Sequence, residues 1–170
     1  NMIYWGTPKY QDPVSPHPAI KEAAHSIGLD MSKQSLGLFK ISADTIYYPV
    51  FDLVYAAQTI KIGSESLKAS LKRVVAGLKV VLKDKDDTVL SSSIDSVAVR
   101  ITNIYSELNY YTGEPQGIPR TIAFPLARSI DGTQMSNSTV MLFPSAGKSE
   151  FQLTITLKNG NVKSCKQTLS

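Results

Sequence analysis

The sequence predicts an all-β protein, an antiparallel β-sandwich with one short helix near its N-terminus. Three observations carry this expectation. From residue 53 onward, apolar and polar residues alternate in strand-length runs, most cleanly where Phe151, Leu153, Ile155 and Leu157 are interleaved with Gln152, Thr154 and Thr156. Turn-forming clusters separate these runs, and no amphipathic helical stretches intervene, which suits a sandwich rather than a parallel βαβ sheet. Finally, 42% of the 170 residues are hydrophobic, with 10 Gly and 9 Pro, so the chain has the means to bury a core and no bias toward disorder.

The first part is irregular. Residues 1–5 suit a short strand, and Pro8, Pro13, Pro16 and Pro18 then favour an extended loop because proline cannot donate to a ladder. The spacing predicts a helix over 15–28: Pro18 fits a first turn, Ala19, Ile20, Ala23, Ala24 and Ile27 form a stripe, and Gly28 can end it. Residues 36–41 and 45–48 read as a hairpin around Ser42, Ala43 and Asp44. These features divide the chain into a reduced first domain over 1–52 and a β-sandwich domain over 53–170.

In the second part, 57–62 alternates, and Leu67, Ala69 and Leu71 place apolar side chains on one face of a strand. The alternation then moves to even numbers at Val74, Ala76, Leu78, Val80 and Leu82, which predicts a β-bulge or a change of sheet near Lys72 and Arg73. Residues 84–93 read as a polar loop and 109–119 as turn-rich. Further strands fit Val97, Val99 and Ile101, then 121–126, 139–143, 151–157 and 162–169. Asn159-Gly160 predicts a two-residue hairpin turn with positive φ at both positions. Residues 53–170 then carry about six or seven strands.

Catalytic chemistry has few candidates. The two histidines, His17 and His25, lack carboxylate or cysteine neighbours at ligand spacing, and Asp84, Asp86 and Asp87 lack the glycine and terminal glutamate of a calcium loop. No nucleophile elbow occurs, and the run ending Gly147-Lys148-Ser149 has Leu142 where a phosphate loop needs glycine. The single cysteine, Cys165, reads as a small packed hydrophobe. The expectation is a non-enzyme without cofactor or metal. A net charge of +4 is spread along the chain without a basic block interleaved with aromatics, which argues against nucleic acid as a partner. Asn137-Ser138-Thr139 matches an N-glycan acceptor triplet. Tyr105, Tyr110 and Tyr111 gather around a turn and form a candidate glycan platform, with ordinary strand-end packing as the alternative.

Two stretches carry a resemblance. Asp52-Leu53-Val54-Tyr55-Ala56, followed by Leu71-Lys72-Arg73-Val74-Val75-Ala76-Gly77-Leu78-Lys79-Val80, resembles the fimbrillin-like proteins of type V pili, most closely their anchor and accessory lipoproteins. The similarity extends more weakly through 97–104 and 151–162. It implies transthyretin-like β-sandwich domains and a place on the extracellular face of the outer membrane, held by a lipid anchor outside this chain. It also implies a structural or adhesive role as anchor, accessory or tip subunit, with other fimbrial subunits as partners joined by β-strand complementation. A surface carbohydrate-binding module, using the tyrosine-rich loop on host or bacterial surface glycans, is the alternative.

Overall fold

The computed structural model describes residues 1–8, 18–41, 45–63 and 66–169. Along the chain the strands are β1 (Met2–Gly6), β2 (Ile20–Lys21), β3 (Ser35–Leu38), β4 (Ile46–Tyr47), β5 (Val54–Gln58), β6 (Lys72–Arg73), β7 (Ala76–Leu78) and β8 (Val81–Lys83). They continue with β9 (Ile94–Ile104), β10 (Glu107–Asn109), β11 (Pro115–Gln116), β12 (Arg120–Arg128), β13 (Gln134–Ser136), β14 (Val140–Leu142), β15 (Ser149–Leu157) and β16 (Val162–Leu169). The fold is all-β. The largest sheet runs β16-β15-β9-β12-β13-β8, with β4 also beside β12, and smaller sheets run β1-β5-β6, β11-β10-β3-β2 and β14-β7. Every pairing between named strands is antiparallel except β4 with β12.

The core follows from the alternation. Strand register sets Phe151 opposite Ile101, Leu153 opposite Val99 and Ile155 opposite Val97, while β12 sets Ile122 opposite Ile101, Phe124 opposite Val99 and Leu126 opposite Val97. Directly opposed residues share a face, so these strands present three apolar rungs to the same side. The β9 and β12 members are almost fully buried, whereas Phe151, Leu153 and Ile155 are only partly so. Val50, Leu53, Val75, Val140, Leu142 and Phe143 join the same cluster from the smaller sheets and connecting segments, together with Leu36 and Leu38 of β3. Each fully buried Val, Ile or Phe stabilises the fold by about 1.5–3 kcal/mol before entropy is counted.

The expected change of sheet is present. β6 pairs with β5, β7 with β14 and β8 with β13, so the chain crosses three sheets between residues 72 and 83. The even-numbered phase holds where Leu78, Val80 and Leu82 are half-buried, but it begins only after the buried Val75. The two family-like stretches meet here. Asp52, itself buried, accepts from Arg73 at 2.8 Å (Nε to Oδ1) and 3.0 Å (Nη2 to Oδ2), and Val54 and Tyr55 pair with Arg73 and Lys72 in the adjacent ladder. Hydrogen bonding to Asp52, reinforced by its charge, raises the affinity of the Arg73 guanidinium for its proton. Asn137 fastens the next step. Its side chain accepts the Val80 N–H at 2.7 Å and donates to the Leu78 carbonyl at 3.0 Å, supplying a strand's hydrogen bonds where the backbone leaves one sheet for another.

Four expectations need correction. No helix forms between residues 18 and 28, where Ile20–Lys21 pairs with Leu38 and Gly37, and the nearest helical turn is a 3-10 turn at Met31–Lys33; residues 15–17 lie outside the described residues. So short a helix is marginal in isolation, and ladder bonds to β3 with burial of Ala23 outweigh it, leaving Ile27 exposed. Leu67, Ala69 and Leu71 are likewise exposed and outside any strand, because the β5–β6 ladder stops at Tyr55 and Lys72. Alternation without a neighbouring strand makes no sheet. The Asn159-Gly160 turn joins β15 to β16 as expected, but only Gly160 has positive φ (85°), and the bonds from Gly160 N–H to the Leu157 carbonyl and from Leu157 N–H to the Asn161 carbonyl define a three-residue loop with a glycine bulge. Lastly, the ladders are cut into short pieces, so β5 through β16 replace six or seven longer strands.

The hairpin expected over 36–48 is present: Lys40 bridges Tyr47, and Ile41 N–H donates to the Ile46 carbonyl at 3.0 Å. Its tip at 42–44 lies outside the described residues.

Candidate functional site

The tyrosine turn begins at Asn109, at the end of β10. The Asn109 side-chain oxygen accepts the N–H groups of Tyr111 (2.9 Å) and Thr112 (3.0 Å), its amide donates to the Ser32 carbonyl (2.9 Å), and Gly113 N–H closes the turn onto the Asn109 carbonyl (2.9 Å). This is the local asparagine chemistry that holds a turn without a ladder. Gly113 is obligatory there, since its φ is +72° and a Cβ would lie 2.6 Å from a Tyr55 ring carbon.

Beneath the turn, the β1–β5 register sets Trp5 opposite Tyr55, with ring centroids 4.9 Å apart. The Trp5 indole N–H donates to the Tyr110 carbonyl at 2.9 Å, the Tyr55 phenol donates to the Tyr111 carbonyl, and Tyr110 N–H reaches the Gln34 carbonyl at 2.9 Å. Burial pushes the Tyr55 phenol above its ordinary pKa, with Tyr111 and Glu114 adding to the effect, so it stays a donor at neutral pH. The Tyr110 ring sits 5.9 Å from Trp5 and meets His25 edge-on at 5.2 Å.

These groups line a cleft of about 430 Å³. Its walls include Trp5, Ile20, Leu36, Phe51, Leu53 and Tyr110, with Thr7, Glu22 and His25 as its polar members. The volume falls in the roughly 300–1,000 Å³ range of small-molecule sites.

The three singled-out tyrosines are all half-buried but have different surroundings. Tyr110 lines the cleft. Tyr111, next on the turn, accepts at its phenol from the Asn1 side chain at 2.7 Å, and Asn1 in turn accepts from Thr59 at 2.9 Å. Tyr105 precedes β10, its N–H bonded to the Pro144 carbonyl at 3.0 Å. No local pattern in the sequence joins Trp5 and Glu22 to Tyr110, since they approach it only through the β1–β5 and β2–β3 pairings; the one tryptophan of the chain is the available signal.

The other motifs resolve simply. In the acidic loop, the Asp84 carboxylate accepts the Asp86 N–H at 3.3 Å and Asp87 pairs with Lys83 at 3.3 Å, and among the described residues no group of three potential ligands could hold a metal. Cys165 is exposed rather than packed, because among the described residues no layer covers either face of β16. Asn137, first residue of the glycan-acceptor triplet, is buried with its amide committed to Val80 and Leu78.

Set beside known proteins, residues 1–169 match the family model described as fimbrillin-A associated anchor proteins Mfa1 and Mfa2. The chain belongs to this family. No functionally curated protein matches it. Among solved structures it is similar to a Bacteroides ovatus protein described as a "putative adhesin", with a TM-score of 0.60 and 11% sequence identity. The similarity covers 98% of this chain and 63% of that one, so the present chain spans somewhat less than two thirds of the other's length. At that identity the likeness is one of fold. Family membership and the all-β architecture agree with the resemblance carried by the Asp52–Ala56 and Leu71–Val80 stretches, and the Asp52–Arg73 ion pair joins those two stretches physically.

Proposed function

We propose that the protein is a non-enzymatic structural or adhesive component of cell-surface fimbriae, acting as an anchor, accessory or tip subunit. The family match over residues 1–169 is the observation that carries this reading. The likeness to a protein described as an adhesin is in keeping with it. Other fimbrial subunits are the partners, joined by β-strand pairing, and a lipid anchor outside this chain holds the protein at the extracellular face of the outer membrane.

The sheet edges give the strand-pairing part its physical support. β16 ends the largest sheet, pairs on one side only with β15, and is exposed along all 8 of its residues. An edge of this kind offers a row of backbone donors and acceptors that a partner strand can satisfy without a specific side-chain code. The test is electron microscopy of cells lacking the gene, beside the parent and a complemented strain. Filaments that vanish, detach or change length, and recover on complementation, are the expected result; filaments unchanged in number, length and attachment would overturn the proposal.

A further inference from the structure

We infer that the Trp5–His25–Tyr110 cleft is a binding site for an uncharged pyranose sugar. This rests on the cleft alone and not on the fimbrial reading.

The walls give the first reason. Trp5 is held in place, because its only hydrogen-bonding group is already committed to the Tyr110 carbonyl at 2.9 Å. What the indole contributes to the cleft is therefore apolar and aromatic surface, and Tyr110 with its edge-on His25 adds to it. Flat aromatic surface of this kind matches the C–H face of a sugar ring. The polar members supply the second reason. Glu22 offers two acceptor oxygens, Thr7 a hydroxyl and His25 a ring nitrogen pair, which together can accept from and donate to ring hydroxyls. Among the described residues no cation forms a salt bridge with Glu22, so its carboxylate is not already committed to an ion pair.

Charge selects among sugars. No Lys or Arg is among the described residues lining the cleft, while one carboxylate is, so among these residues an acidic sugar, a sulfate or a phosphate would meet Glu22 and no Lys or Arg counter-charge. The volume of about 430 Å³ is ample for a sugar ring and larger than a lone ammonium group needs.

The protein carries its own probe. Trp5 is the one tryptophan of the chain, so intrinsic indole fluorescence reports on the cleft directly. The purified full chain is titrated with galactose, glucose, N-acetylglucosamine and lactose, and in parallel with glucuronate and sialic acid, while saturation-transfer NMR reads the sugar ring protons. The expected result is a saturable change in Trp5 emission with at least one neutral sugar and weaker or no response to the acidic ones. Glu22→Gln, an exposed change that leaves the fold intact, weakens that affinity by about tenfold or more, the consequence of losing a charged hydrogen-bond acceptor. His25→Ala, also exposed, is a second variant read in the same way. Absence of both fluorescence and saturation-transfer signals across the neutral panel overturns the inference. So does tighter binding of the acidic sugars, or neutral-sugar affinity unchanged in both variants.

Discussion

Replacing Asn137 by alanine tests the account of how the chain crosses between sheets. Asn137 is only 3% exposed, and its side chain satisfies the Val80 N–H at 2.7 Å and the Leu78 carbonyl at 3.0 Å. Alanine removes both bonds at once, together with the one that the Asn137 amide donates to the carbonyl of exposed Ser138. A buried polar group left unpaired costs about 1–3 kcal/mol, and since Leu78 and Val80 are half-buried rather than sealed, the lower part of that range applies to each, for a total of about 2–4 kcal/mol. For a chain of this size that corresponds to a fall in Tm of about 4–16 °C. Urea denaturation and calorimetry read the two quantities, with Ser138→Ala, an exposed neighbour, expected to stay within about 0.5 kcal/mol of the parent. A loss under about 0.5 kcal/mol for Asn137→Ala, equal to the Ser138 control, would refute the reasoning, because the two backbone groups would then have found other partners.

Three further outcomes are expected. Gly113→Ala forces a Cβ to within 2.6 Å of the Tyr55 ring at a φ of +72°, so it destabilises by about 2 kcal/mol or more and shifts Trp5 emission to the red; unchanged emission and Tm would contradict the packing of the turn on Tyr55. Asp131 accepts from the Ser129 hydroxyl and from the Thr133 N–H and hydroxyl, which holds its carboxyl below the usual value, first through Ser129. Its contribution to stability is present above the unfolded carboxylate pKa and lost as pH falls through the depressed folded one, a titration that carbon-detected NMR follows and that Asp131→Asn removes. On β16, the hairpin register places the N–H groups of Val162, Ser164, Lys166 and Thr168 on the unpaired side. Ser164→Pro with Lys166→Pro then leaves the β15 ladder and the circular dichroism spectrum intact while abolishing partner-strand addition; addition that persists would move the pairing to another edge.

Wherever a strand is buried on one face and lies next to other strands, its position was legible in the sequence. Val97, Val99 and Ile101 and the 121–126 run lie in strands with the expected residues paired, because period-two alternation records one-sided burial residue by residue, whereas the wholly exposed 162–169 strand was marked by the Asn159-Gly160 turn that folds it back onto the alternating 151–157 run. The change of sheet after Arg73 showed itself in the same way, as a slip of phase. Of the candidate site, Tyr110 and the turn after Asn109 were visible, since turn chemistry is local.

What the sequence by itself determined, then, is the set of segments able to be strands, the turns between them and the family to which the Asp52 and Arg73 stretches point. Tertiary structure decided which of those segments found a ladder. Ile20–Lys21 became a strand rather than part of a helix because β3 offered an edge, and Leu67 to Leu71 stayed unpaired because none was offered. It alone brought Trp5 and Glu22 to Tyr110, Asp52 to Arg73 and Asn137 to Val80, pairs separated by 21 to 105 positions in the chain. The physical reason is common to all of them. Alternation and turn propensity are properties of a few consecutive residues, whereas a hydrogen-bond partner or a cleft wall is set by which distant backbone arrives opposite, and nothing in a local pattern encodes that arrival.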